Sequence, residues 1–272
     1  MGQHMTVSCG RCSGCKAQRA KEWAARCVHE ASLYEDNCFI TLTYDNEHLP
    51  QNGTLIKHHF QDFMKRLRKS VQPKKIRYYQ CGEYGEKLGR PHYHALIFNH
   101  DFPDKEFFQE HNETKLFISR ALTKLWGKGH ASVGTVTIES AGYVARYTMK
   151  KMNGEKSYHH YMRLNETTGE LHELLPEYNA MSLKPGIGAE WFKQYKDDVF
   201  PDDFIVINGK KVKTPQYYMT LLERVDPQEY ENIKAVRLKS LAAHKENNTP
   251  ERLATREICH QAKQNRMERR LK

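Results

Sequence analysis

Three groups of residues in this chain carry side chains whose types and spacing suit chemistry. In Arg90-Pro91-His92-Tyr93-His94-Ala95-Leu96-Ile97-Phe98-Asn99 two imidazoles stand two residues apart. Neutral imidazole ligates divalent ions, and a pair on one rigid support can share one ion. Glu83 lies nine residues before His92, and its carboxylate would complete a site for a divalent ion such as Mg²⁺ or Mn²⁺. The second group is Ser140-Ala141-Gly142-Tyr143-Val144-Ala145-Arg146-Tyr147-Thr148-Met149-Lys150-Lys151, where Tyr143 and Tyr147 are four apart and each has a cation three residues on, Arg146 and Lys150. A phenol is a poor nucleophile unless its phenolate is favoured, and a phosphodiester repels an approaching anion. A divalent ion, the two cations and a helix N-terminus answer both problems, and two tyrosines one turn apart suggest two successive transfers. The third group is Cys9-Gly10-Arg11-Cys12-Ser13-Gly14-Cys15. Thiols at spacings of three suit a structural Zn²⁺, which takes four thiolate or imidazole ligands, the fourth coming from Cys27, His29 or a residue upstream.

Each group also has an ordinary reading. A His-x-His pair can be a cross-strand contact, tyrosines at helical spacing can pack a core, and clustered cysteines can be unligated reduced thiols. Their combination in one chain is what favours chemistry.

The elements that must position these groups follow from periodicity. After Pro91, period two puts Tyr93, Ala95 and Ile97 on one face of a strand and His92, His94, Leu96 and Phe98 on the other. Residues 76–81 form a preceding strand, and a short Gly-containing connection makes the two a hairpin that brings Glu83 alongside. The tyrosine segment reads as a helix capped by Ser140. Upstream, residues 16–33 repeat apolar Ala20, Trp23, Ala24, Cys27, Val28 and Ala31 at helical spacing, with Arg19 and Arg26 on the other side. Residues 38–44, with Thr41 and Thr43, form a strand. Ile56, Phe60, Phe63, Met64 and Leu67 mark a helix with Lys65, Arg66, Arg68 and Lys69 near its end. A further helix is expected over 116–126, closed by Gly127 and Gly129, and a last strand over 132–138. The order β-α-β-β-α-β is the split βαβ, ferredoxin- or RRM-like arrangement: an α+β fold with a four- to five-stranded antiparallel sheet and two helices on one face. Its first and third strands lie together at the centre, which places the histidine strand beside Thr41 and Thr43.

Beyond residue 156 the signals thin. Tyr158-His159-His160-Tyr161 could stack on bases or simply be polar surface, residues 183–188 are turn-rich, and a hairpin turns on Asn208-Gly209. Residues 231–272 carry 11 Lys and Arg against 5 Asp and Glu, a basic and helical tail. The expected division is 1–35 as a Cys-rich segment and basic helix, 36–155 as the core and 156–272 as a C-terminal extension.

With 272 residues, 39% of them hydrophobic, the chain can bury a sizeable core, and its net charge of +10 makes nucleic acid the natural partner. No apolar run reaches transmembrane length, and no continuous apolar core marks a signal peptide. Residues 1–5, MGQHM, read as a cloning remnant, so the natural start is expected upstream. Seven cysteines without a secretion signal argue for reduced thiols in a cytoplasm.

Phe39-Ile40-Thr41-Leu42-Thr43, His92-Tyr93-His94 and Tyr143-Val144-Ala145-Arg146-Tyr147 resemble, in that order, the three motifs of HUH endonucleases that initiate rolling-circle replication. With the cysteine cluster and Arg90-Pro91-His92-Tyr93-His94, the two-tyrosine form is similar to the replication initiators of gokushovirus-type microviruses, small phages with circular single-stranded DNA. The resemblance implies that Tyr143 and Tyr147 are nucleophiles, that His92, His94 and an upstream carboxylate bind the metal, and that Glu83 fits this last role best, with Glu86 as the near alternative. It also implies a 5′-phosphotyrosine intermediate on single-stranded origin DNA, a free 3′ hydroxyl, and host helicase and DNA polymerase as partners in the host bacterial cytoplasm. Candidate DNA contacts are Thr41, Thr43, Arg19, Arg26, Lys65, Arg68 and Lys151. Alternatives are a plasmid-type initiator or single-strand transposase with the same chemistry, a metal-dependent hydrolase that activates water, and a zinc-stabilised DNA-binding protein without catalysis. Oligomeric state is left open.

Overall fold

In the computed structural model, which describes residues 9–10, 12–85, 88–111, 114–150, 155–165 and 168–271, α1 (Ser13–Ala31) leads into β1 (Asn37–Tyr44), α2 (Lys57–Ser70), β2 (Arg77–Tyr84) and β3 (Pro91–Phe98). A hairpin, β4 (Glu106–His111) and β5 (Thr114–Ile118), precedes α3 (Arg120–Trp126), β6 (Gly129–Gly134) and α4 (Ile138–Lys150). Then come α5 (Glu155–Tyr161), β7 (Met162–Leu164), β8 (Leu171–Glu173), β9 (Tyr178–Met181), α6 (Ala189–Val199), β10 (Phe204–Ile207), β11 (Lys210–Lys213), α7 (Gln216–Val225), α8 (Pro227–Ala243) and α9 (Pro250–Leu271). Two compact units result, one of Arg19–Gln194 and one of Met1–Gln18 with Tyr195–Lys272.

The first unit is built on an antiparallel sheet in the order β4-β5-β6-β1-β3-β2-β9. β1 is the middle strand and β3 lies beside it, the side-by-side placement expected from the order of the elements. The sheet has seven strands, not four or five. The β4–β5 hairpin extends one edge, and β9, pairing Asn179 with Cys81, extends the other. Leu116 and Ile118 belong to β5, although their spacing to Leu122 and Trp126 mimics a helix. Ser119 divides the run, because its side chain caps α3 by accepting from the Leu122 amide at 3.0 Å.

Helices cover both faces, where two on a single face were expected. Tyr93, Ala95 and Ile97 join Ile40, Leu42 and Tyr44 under Phe60, Phe63, Met64 and Leu67 of α2 and Leu122 and Trp126 of α3. The hydroxyls in that core are paired: Tyr44 and Tyr93 share a 2.7 Å hydrogen bond, and Tyr93 donates to the Ile56 carbonyl at 2.8 Å. On the other face Leu96, Phe98, Tyr79 and Cys81 meet Ala20, Ala24 and Cys27 of α1 and Ala141, Val144 and Ala145 of α4. The small helical residues let α1 and α4 lie close to the strands.

Two boundaries differ from expectation. β6 runs from Gly129 to Gly134, and α4 begins at Ile138 rather than after Ser140. The Ser140 amide donates to the Thr137 hydroxyl at 3.1 Å and the Thr137 amide to the Ser140 hydroxyl at 2.8 Å, so Thr137 is the cap and Ser140 its reciprocal partner. Gly129 is required where it stands: at φ +133° a Cβ would lie 2.2 Å from the Asp45 nitrogen.

In the second unit Asn208 and Gly209, at φ 48° and 72°, turn the β10–β11 hairpin as their sequence predicts. Arg237 of α8 grips the Asp203 carboxylate through two hydrogen bonds of 2.6 and 2.7 Å. Among the described residues no helix is long and apolar enough to cross a membrane.

Candidate metal centre and tyrosine

Register dictates which side chains meet on the sheet face under α4. Glu83 of β2 stands opposite His92 of β3, which stands opposite Thr43 of β1, which stands opposite His130 of β6. The neighbouring row is Cys81, His94, Thr41 and Ser132. Paired strands lie about 4.8 Å apart, so a carboxylate on β2 must reach both imidazoles of β3.

It does so through one oxygen. Glu83 Oε1 is 2.9 Å from Nε2 of His92 and 2.9 Å from Nε2 of His94, and the ligand atoms of all three residues fall within 4.8 Å of one another. Glu83 and His94 are buried and His92 is partly so. Burial alone would raise the Glu83 carboxyl, but hydrogen bonds and charge from the two histidines outweigh it and hold the group below its ordinary range.

The outer nitrogens explain why this arrangement fits a cation. Nδ1 of His92 is 3.0 Å from the Arg90 carbonyl, which can only accept, so Nδ1 carries a proton. Nδ1 of His94 is 2.9 Å from the Thr41 hydroxyl, which can accept in the same way. With Nδ1 engaged on the far side, the Nε2 atoms of both rings converge on one Glu83 oxygen, and a divalent ion could take the place of the protons they share. Two imidazoles and a carboxylate form a donor set that could hold one divalent ion. Thr41 thus supports the His94 ring.

Tyr143 completes the site. Its hydroxyl is 3.4 Å from Glu83 Oε1 and 3.5 Å from His94 Nε2, and its ring stands edge-on to His94 at 4.9 Å between centroids. Phe39 stacks on His94 at 5.6 Å and meets the Tyr143 ring edge-on at 6.3 Å. Helix α4 holds this pose through Ala141, Val144 and Ala145 in the core, and Asn179 of β9 donates to the Val144 carbonyl at 3.3 Å.

Of the other candidates, Tyr147 and Lys150 fall on the last turn of α4, with side chains outside the described residues, and Glu86 and Lys151 are wholly outside them. Arg146 is partly buried on α4 and Arg19 is exposed on α1. Arg26 does not lie on a solvated face: it is buried, donates to the Ile187 carbonyl at 3.0 Å and lies 3.9 Å over the Trp23 ring. Lys65 and Arg68 sit on α2, which covers the opposite face of the sheet from the histidines. Cys27 is buried in the core and His29 stacks on Trp191, so each is engaged away from a thiolate cluster.

Sequence reasoning missed His130 and Asn179. With Thr43, Tyr44, Asp45, Asn46 and Arg90, His130 lines a shallow, open cleft beside the row that holds Glu83 and His92. Its position just outside the expected strand at 132–138 hid its pairing with Thr43. Arg90 walls the cleft by donating to the Asn46 side chain and to the Tyr44 and Asp45 carbonyls at 3.0, 3.0 and 3.1 Å.

A family model described as Replication-associated protein ORF2/G2P matches residues 37–152, from the start of β1 to just past α4. Replication-associated protein VP4 of Bdellovibrio phage phiMH2K is 34% identical over 85% of this chain and 72% of its own length. ORF2 of Spiroplasma virus 4 is 33% identical over 80% of this chain and 68% of its own length, and ORF4 of Chlamydia phage 1 is 30% identical over 88% and 60%. Both are also named replication-associated proteins. No solved structure matches. This chain belongs to the family of replication-associated proteins of small phages.

Proposed function

We propose that this chain is an HUH-type endonuclease that nicks and rejoins the origin strand of a circular single-stranded phage DNA. The observation that carries the reading is the Tyr143 hydroxyl at 3.4 Å from Glu83 and 3.5 Å from His94, on the rim of the two-histidine, one-carboxylate cluster. Mg²⁺ or Mn²⁺ bound to His92, His94 and Glu83 would polarise the scissile phosphate and favour the phenolate form of a tyrosine beside it. The chain's own residues do the rest. Thr41 and the Arg90 carbonyl fix the two imidazoles, and Phe39 keeps His94 and Tyr143 in register. Tyr143 Oη attacks phosphorus, the bond to the 3′ oxygen breaks, the strand departs with a 3′ hydroxyl, and the 5′ phosphate stays on the tyrosine. One phosphodiester replaces another, so the strand can be rejoined when a hydroxyl attacks in reverse. Tyr147, one turn along α4, serves the second cut. Arg146 and Lys150 supply positive charge, and Arg19, Thr43 and Lys151 are the remaining proposed contacts to single-stranded DNA. The 3′ hydroxyl suits extension by a host polymerase with a host helicase, in the bacterial cytoplasm. The matched segment 37–152 supports this assignment, since it contains the histidines, Glu83 and both tyrosines.

The test is single-strand cleavage with the divalent ion varied. His92→Ala with His94→Ala should lose nicking and keep single-strand binding. Full nicking in that variant, or in the wild type under EDTA, would remove the metal from the mechanism.

A further inference from the structure

The sulfurs of Cys9, Cys12 and Cys15 converge at the start of α1, with their ligand atoms within 4.8 Å of one another. Cys9 Sγ and Cys15 Sγ are 3.8 Å apart. A tetrahedral zinc with Zn–S bonds of about 2.3 Å sets neighbouring sulfurs about 3.8 Å apart, so the observed spacing is an edge of that tetrahedron. The backbone is folded to serve the sulfurs. Cys9 Sγ accepts from the Cys12 amide at 3.3 Å, Cys12 Sγ accepts from the Cys15 amide at 3.5 Å, and Gly10 takes φ +69° to make the turn between them.

We propose that Cys9, Cys12 and Cys15 bind Zn²⁺ through three thiolates, with a water in the fourth position, which the exposure of Cys9 and Cys12 leaves open. The site is chemically separate from the histidine cluster. Soft thiolates select zinc, whereas a carboxylate with imidazoles accepts harder ions, so the two centres hold different metals in one chain. Binding three thiols releases three protons to solvent, and occupancy therefore falls as pH falls. The ion ties Cys9 to the first turn of α1, a link that an exposed segment with little apolar burial cannot make by packing.

Full-length protein, purified under reducing conditions and freed of loose metal, should retain one equivalent of zinc by elemental analysis. The same equivalent should persist in His92→Ala with His94→Ala, and it should be absent from Cys9→Ser with Cys12→Ser and Cys15→Ser. X-ray absorption at the zinc edge should give three sulfur neighbours and one lighter atom. Replacing zinc by Co²⁺ in the wild type should produce a sulfur-to-metal charge-transfer band, weaker but present in Cys12→His, a readout that needs neither the triple variant to fold nor the DNA chemistry to be correct. Zinc-free wild-type protein, zinc unchanged in the triple variant, four sulfur neighbours, or a Cys9–Cys15 disulfide in place of metal would each overturn the proposal.

Discussion

Tyr143 and Glu83 share a boundary: the phenol hydroxyl ends where the carboxylate and His94 begin. Tyr143→Phe keeps the ring against Phe39 and His94, so unfolding stability should shift by less than about 0.5 kcal/mol while the first nick falls sharply. Tyr147→Phe should spare the first nick more than Tyr143→Phe does and fail instead to release circles, read by gel separation of nicked and closed products. Glu83 makes a separate prediction for metal-free protein. Its carboxyl is held below the ordinary range, so the folded state gives up this proton more readily than the unfolded chain. Its contribution is therefore complete above the unfolded value of about 4.3 and is lost as pH falls through the lower folded value. In EDTA, Glu83→Gln should flatten the acid side of the stability profile measured by denaturant unfolding. An acid limb unchanged from wild type would show that the histidines do not stabilise the carboxylate.

Among elements, α4 does the positioning, and its entry is a capping box. Thr137→Ala should cost about 1 kcal/mol, lowering the melting midpoint by roughly 2–4 °C, with a larger fractional loss of nicking than of DNA binding. Equal losses of both would mean that the cap serves only general stability. Gly129→Ala should be far more damaging, because its Cβ would strike the β1 backbone, and thermal melts should show it. The centre of the sheet was legible in sequence, since period two in residues 91–98 separated the histidines from Tyr93, Ala95 and Ile97 and the paired strand put Glu83 opposite His92. The edges were not. Residues 106–111 expose Phe107 and Phe108 together, so no alternation marks β4, and the four residues of β9 are too short for a period. Ser140 has the look of a cap in sequence because it precedes the tyrosines, whereas Thr137 lies outside the apolar repeat and shows itself only through its reciprocal bond.

At the scale of the whole molecule, the net charge of +10 predicts single-strand binding that weakens steeply with salt, by about 0.7 decades in affinity per decade of salt for each phosphate neutralised. Arg252, Arg256 and Lys263 are exposed on α9, and replacing all three by Ala should reduce that slope without lowering nicking at saturating DNA. Composition made the basic character legible, whereas the inward turn of Arg26 depends on the Ile187 carbonyl, a partner remote in sequence. The central claim, that Tyr143 forms a covalent bond to DNA beside the Glu83, His92 and His94 cluster, is tested most directly by trapping that bond. Full-length protein should be incubated with circular single-stranded phage DNA and Mn²⁺, denatured, digested with nuclease and protease, and mapped by tandem mass spectrometry. The account predicts a nucleotide attached through its 5′ phosphate to Tyr143, with Tyr147 modified after a second cut, and no adduct in Tyr143→Phe with Tyr147→Phe. An adduct on any other residue, or cleavage that leaves no protein-linked DNA, would contradict it.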